Sequence, residues 1–357
     1  MDKIKVNVSL VSGLILYSCM NPSEPIASLQ SQLITTIDTG GKCRDIDFND
    51  SLIIAAADTN SFQGYSYSFS NEGIFDYVHE FDDSGSVGLH EPFVANKIIM
   101  SKNRKYFLLM DKNEGLFASQ HLSINNTFTH IYSGSDNRDY IQSVALKENE
   151  NEIHIATLIR QDSSCIVYSK KFLQENFHFF EDENGILWFD SEINSFDGFS
   201  LDASDLFLID SLLFIADFQL VKIIKENSNA TFSYYFSFDI PGIAETVHAD
   251  SNIIFIGLGD NKGCIISPMD TTVLVMNQIT IADGYSVKGI HKQNELLALA
   301  CGDDGVLLYT CHSDENFPLV SEIGRINSEY AYNVKIYNLN TIFVATKVGI
   351  QIFTIER

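Results

Sequence analysis

An apolar strand that ends in a small residue, a short turn rich in Gly, Asp and Asn, and two further strands recur seven times along this chain. The clearest copy runs Leu296-Leu297-Ala298-Leu299-Ala300-Cys301, Gly302-Asp303-Asp304-Gly305, Val306-Leu307-Leu308-Tyr309. Aligned on the small residue, the copies are anchored at Ala57, Met110 (a larger substitute), Ala156, Ala216, Gly257, Ala300 and Ala345. Their steps of 53, 46, 60, 41, 43 and 45 residues average 48. That period is too long for leucine-rich or paired-helix solenoids and matches one four-stranded blade. A further strand lies about thirteen residues before each anchor, as in residues 287–292 and 333–337, and is expected to be the innermost of its unit. Runs such as Ile253-Ile254-Phe255-Ile256 are apolar on both faces, as strands covered on both sides by neighbouring sheets must be.

The pattern predicts an all-β fold: a single seven-bladed β-propeller over residues 32–357. The last copy has only three strands before the sequence stops at Arg357, and Leu33-Ile34-Thr35-Thr36-Ile37 is expected to supply the fourth and close the ring. Phe and Tyr number 26 and 15 against one Trp, which favours pleated surfaces over helices. Hydrophobic residues at 45% and charged residues at 20% exclude a disordered chain. The 60-residue step marks an insertion at about 172–199, which holds Glu181, Asp182, Glu183, Asp190, Glu192 and Trp188. Loops of that length are often functional.

Gly305-Val306-Leu307-Leu308-Tyr309 and Gly349-Ile350-Gln351-Ile352-Phe353 stand where the LVIVD-repeat family carries its Gly-Leu-Val-Ile-Val-Asp run, without the closing Asp. The body resembles that family in period and pattern. The resemblance implies a bacterial or archaeal surface propeller and carries no catalytic residue over.

Residues 1–18 read as an export signal, with Lys3 and Lys5 ahead of an apolar stretch too short to cross a bilayer. They lead into Leu16-Tyr17-Ser18-Cys19, which resembles a bacterial lipoprotein lipobox and makes Cys19 the expected site of acylation. Residues 19–31, with Pro22, Ser23, Glu24 and Pro25, read as the lipidated cysteine and a polar tether. The expected location is the bacterial cell envelope, anchored by lipid alone. The absence of Asp after Cys19 implies, by resemblance to lipoproteins, the outer membrane. The five later cysteines have no C-x-x-C spacing, which removes zinc and dithiol redox readings.

A formal charge of −24 excludes nucleic-acid binding, since no basic patch offsets it. Gly257-Leu258-Gly259-Asp260-Asn261-Lys262-Gly263 has the wrong spacing for a phosphate loop, and Asp111-Lys112-Asn113-Glu114-Gly115 lacks the closing Glu of a calcium loop. Both read as turns. Glu181-Asp182-Glu183-Asn184-Gly185-Ile186-Leu187-Trp188 is similar to the Asp-box hairpin of sialidase propellers but departs at its first and third positions, and the arginines are scattered. No histidine pair has metal spacing, and no Gly-x-Ser-x-Gly elbow exists.

The candidate site follows from architecture, because the starts of innermost strands ring one mouth of a propeller channel. The repeat places Arg44, Asp45, Asn96, Lys97, Gln142, Asp202, Glu245, Lys288 and Asn333 there. The expectation is a monomeric binding or scaffold module for a protein, peptide or glycan, with no cofactor. The alternative is an envelope hydrolase or lactonase holding a divalent cation on Asp45, Asn96, Asp202, Glu245 and Asn333.

Overall fold

The computed structural model describes residues 29–70, 74–82, 94–101, 107–111, 115–119, 128–132, 140–173, 194–227, 231–269, 278–312 and 318–356. The segment expected to be a signal, Cys19, nearly all of the expected tether and residues 174–193 of the expected insertion lie outside them. The described residues form 28 strands, numbered β1 to β28 in chain order, and no helix. These make seven antiparallel four-stranded sheets.

Each sheet starts on an inner strand: β2 (Asp45–Phe48), β6 (Ala95–Met100), β10 (Tyr140–Glu148), β14 (Ala203–Ile209), β18 (Ala244–Ala249), β22 (Gly289–Gln293) and β26 (Ala331–Asn338). The next strands are β3 (Leu52–Ala56), β7 (Phe107–Asp111), β11 (Glu152–Arg160), β15 (Leu212–Asp217), β19 (Ile253–Leu258), β23 (Leu296–Ala300) and β27 (Thr341–Thr346). Six of the seven small anchors fall within these second strands, and Ala57 follows β3 directly. The second strands are the buried layer, because neighbouring sheets cover both of their faces. Leu52–Ala56, Leu296–Ala300 and Thr341–Thr346 have every residue buried. Phe107, Phe214, Phe255 and Phe343 are fully buried on them, each contributing about 1.5–3 kcal/mol.

Packing runs sheet to sheet. The inner strands contact one another in the order β2, β6, β10, β14, β18, β22, β26, and β26 contacts β2. Each gap holds an apolar cluster, such as Ile54, Phe62, Phe81, Ile98 and Phe107 between the first two sheets.

The seventh sheet is completed by the N-terminal strand β1 (Gln30–Ile37), which pairs antiparallel with β28 (Gly349–Glu356). The strand begins three residues before the apolar run that predicts it. Gly305 and Gly349 show why β1 is equivalent to a sequential outer strand. Both have left-handed φ, of 76° and 115°, and a Cβ at either would press into the last carbonyl of the neighbouring outer strand, Ile326 for Gly305 and Ile37 for Gly349. The glycine that opens the Gly-Val-Leu-Leu and Gly-Ile-Gln-Ile runs is therefore fixed by close backbone approach. The end of the predicted insertion, β13 (Asn194–Phe199), is the outer strand of the third sheet, paired with β12 (Cys165–Leu173).

Candidate functional site

A cavity of about 660 Å³ lies where the seven inner strands begin. A local backbone device fills it with side chains. In β6, β10, β14, β18 and β26 the register shifts by one residue at the strand start, between Ala95 and Lys97, Ile141 and Ser143, Ala203 and Asp205, Ala244 and Thr246, and Ala331 and Asn333. A bulge sets two consecutive residues against one partner and re-aims the extra side chain. At all five strands both residues line the cavity, in pairs such as Asn96 with Lys97, Gln142 with Ser143 and Ser204 with Asp205.

Arg44, Lys97 and Lys288 at this mouth are each paired with a carboxylate. The Arg44 guanidinium meets Asp58 at 2.8 Å and lies over the Tyr332 ring at 4.6 Å. Lys288 reaches both Glu245 oxygens, at 2.7 and 2.5 Å. Asp205 is the hub. Its Oδ1 accepts from Lys97 at 2.9 Å and Ser143 at 2.5 Å, and its Oδ2 from the Thr246 hydroxyl at 2.9 Å and the Val247 amide at 3.1 Å. Four consecutive sheets thus meet at one carboxylate. Burial alone would raise its pKa, but the Lys97 charge and these hydrogen bonds outweigh it and hold the carboxyl below its usual range.

A second set of polar groups joins adjacent inner strands. Asp45 accepts from the Ile98 amide at 3.1 Å and from Asn333 Nδ2 at 2.5 Å, Asp47 from the Met100 amide at 2.8 Å, and His291 Nδ1 from the Ile336 amide at 3.0 Å. These acceptors satisfy amides that an inner edge would leave unpaired. Burial raises the Asp45 carboxyl, against the opposing charges of Lys335 and Lys97. Lys335 also lines the cavity. Burial disfavours its charge, but Asp47, Asp45 and Asp205 overcome that and raise its pKa, so it stays an ammonium. His248 packs on Phe207 at 4.6 Å, and burial followed by the Lys335 charge lowers its imidazole to about 4. It is neutral at physiological pH.

Of the nine residues placed at the mouth by the repeat, Arg44, Asp45, Asn96, Lys97, Gln142, Glu245, Lys288 and Asn333 line this cavity. Asp202 does not. It sits in the turn before β14, and Ser204 and Asp205 take its place. Asp47, Ser143, Asp205, Thr246, Tyr332 and Lys335 also line it and were missed; alternation from Asp45 and Asn333 along their strands points to Asp47 and Lys335. Of the five proposed metal ligands, Asp45 and Asn333 are bonded to each other and Glu245 to Lys288. Among the described residues no group of three or more His, Cys, Asp or Glu is gathered as a metal ion needs.

No family model matches the chain. No curated protein matches it in sequence. Solved structures do match in fold. A chain described as the structure of U3-55K superposes with a TM-score of 0.63 at 12% identity, covering 91% of this chain and 98% of that one. The C-terminal WD40 domain of Sif2 gives 0.58 at 10% identity, covering 94% and 100%. The WD40 β-propeller domain of Doa1 gives 0.59 at 11% identity, covering 91% and 97%. At such identities the likeness is one of fold, and the fold is that of β-propeller domains.

Proposed function

We propose that the chain is a cell-envelope lipoprotein whose seven sheets close into a propeller that binds a protein, peptide or glycan at the channel mouth. The observation that carries the binding reading is the state of the mouth's charges. Arg44, Lys97 and Lys288 are each held by a carboxylate, and Asp45 is committed to backbone and amide donors. Groups fixed in this way present a rigid pattern of donors and acceptors, which suits recognition. The acid–base or metal chemistry of a hydrolase needs carboxylates free to take a proton or a cation. Among the similar chains, one comes from a structure of a Mitotic Checkpoint Complex, which is an assembly of proteins (TM-score 0.59, 12% identity).

The anchor rests on the lipobox ending at Cys19. Cys19→Ser should move the protein from the membrane to the soluble fraction and abolish labelling by a radioactive fatty acid. An unlabelled wild type that sediments no better than the variant would end the lipoprotein reading. Metal analysis of the purified protein separates binding from the hydrolase alternative. Less than about 0.1 divalent ion per chain is expected, and one tightly held ion would favour the enzyme.

A further inference from the structure

Among the described residues, several of the large apolar side chains left exposed lie on neighbouring outer strands. Of nine among the described residues, five lie on or directly beside the outer strands of three contiguous sheets: Leu319 on the sixth, Leu33 on the seventh, and Ile74, Tyr77 and Val78 on the first; Leu339 and Val348 lie in the turns before and after β27. The sixth and seventh sheets pack together through Ile326, Ala331 and Val344, and the seventh and first through Ile37, Phe75 and Phe343. The other two, Tyr234 and Tyr235, are on the fourth sheet, on the opposite side of the ring order. Scattered single apolar residues need no explanation, but exposed ones on adjacent outer strands mark an interaction surface.

The middle of that wall is the strand that the tether enters. β1 reads Gln-Ser-Gln-Leu-Ile-Thr-Thr-Ile, without a charge in a chain whose net charge is −24. Its first four residues are exposed. Leu29, directly before it, packs on Gly324 of β25 (Leu319–Ile326), so the chain meets the body on the outer wall beside the sixth sheet. Gln30 pairs with Glu356 and Ile37 with Ile350, which puts the entry at the end of β1 remote from the cavity mouth. Nine residues lie between Cys19 and Leu29, ten steps of the chain. As a flexible coil these ten steps span about 17 Å, and fully extended no more than about 36 Å.

We infer that the outer wall formed by β1 with the flanking outer strands of the sixth and first sheets rests on the bilayer interface. Leu33 and Leu319 would sit among the lipid headgroups, and the mouth would open to water. This rests on the acyl-anchor reading of Cys19. A tether this short holds the wall at high local concentration over the lipid, so weak apolar contacts suffice to orient the body. The binding partner then reaches the mouth from the aqueous side.

Brominated-lipid quenching of tryptophan tests the wall directly. Acylated full-length protein carrying Trp188→Phe and one new tryptophan at Leu33, Leu319 or Tyr234 is bound to vesicles of phosphatidylethanolamine and phosphatidylglycerol with brominated acyl chains. Fluorescence at positions 33 and 319 should fall by at least half, with under a tenth lost at position 234. Leu33→Asp should return the position-319 probe to the level of position 234. Failure of the wild type to sediment with vesicles would remove the anchor and the inference with it. Sedimentation with equal quenching at all three positions would overturn the wall alone. Dimerisation in ultracentrifugation that protects positions 33 and 319, without quenching, would assign the wall to a second copy and likewise overturn it.

Discussion

His154 gives the sharpest prediction about the fold. It lies on β11, opposite Lys171, buried to 3% exposure against Glu226 and stacked on Phe232 at 6.1 Å between ring centroids. Its Nδ1 is 3.7 Å from Glu226, yet neither ring nitrogen has a hydrogen-bond partner, and Lys171 holds the Glu226 carboxylate at 2.8 Å. Burial, and then the Lys171 and Lys147 charges, lower the imidazole to about 3. The ring is therefore neutral in the fold, whereas the unfolded chain binds its proton near pH 6.5. A histidine depressed in the fold destabilises it as pH falls through the unfolded value, since the unfolded state takes up the proton. From pH 7 to pH 5 this costs about 2 kcal/mol, from the protonated fraction of a group with pKa 6.5 and none bound in the fold. His154→Phe keeps the stacked ring and removes the titration. Urea unfolding at pH 7, 6 and 5 should show the wild type losing about 2 kcal/mol more than the variant over that interval, about 0.7 of it by pH 6. Parallel pH profiles would refute the reasoning and mean that Glu226 holds a protonated ring inside the fold.

Two further perturbations test the mouth and the seam. Asp205→Asn leaves the half-buried Lys97 ammonium unpaired and turns a donor toward Thr246 or Ser143, so it should cost about 2–3 kcal/mol at pH 7, less than a fully buried pair because Lys97 is partly exposed. Because the fold depresses this carboxyl, the cost should hold above pH 4 and shrink below it, as unfolding titrations would show. A chain beginning at residue 40 loses β1 and its seven register partners, at about 0.5–1.5 kcal/mol net for each ladder hydrogen bond, so it should lose about 4 kcal/mol or more. A chain beginning at residue 29 should melt with the full-length protein.

The fold was legible because it is written in burial. Second strands such as Leu296–Ala300 are apolar at every position, so the period survives degenerate residues. The site was less legible for a backbone reason. Bulges at five inner-strand starts add a residue that no fixed offset anticipates, and at Ala203/Asp205 the shift carries the hub carboxylate past Asp202. Sequence also cannot tell a free polar group from a committed one. Asp45 and Asn333 look like ligands, but they bond to each other, because the seventh and first sheets meet there and must satisfy the Ile98 and Val334 amides. Lys335 lies beyond the strand start, where alternation along β26 carries the channel face deeper.

Site-specific photo-crosslinking tests the central claim, that the mouth is the binding surface, most directly. A photoreactive phenylalanine analogue at Tyr330, whose ring lies 4.7 Å from that of Tyr332, or at the exposed Lys262, reports on the mouth. The same group at Leu339 or Asn252 reports on the turns at the opposite ends of the inner strands. After irradiation of cells, discrete adducts should form from positions 330 and 262, disappear with Arg44→Glu/Lys288→Glu, and be absent from 339 and 252. Adducts from 339 or 252 with none from the mouth, or mouth adducts unchanged by that double substitution, would contradict it.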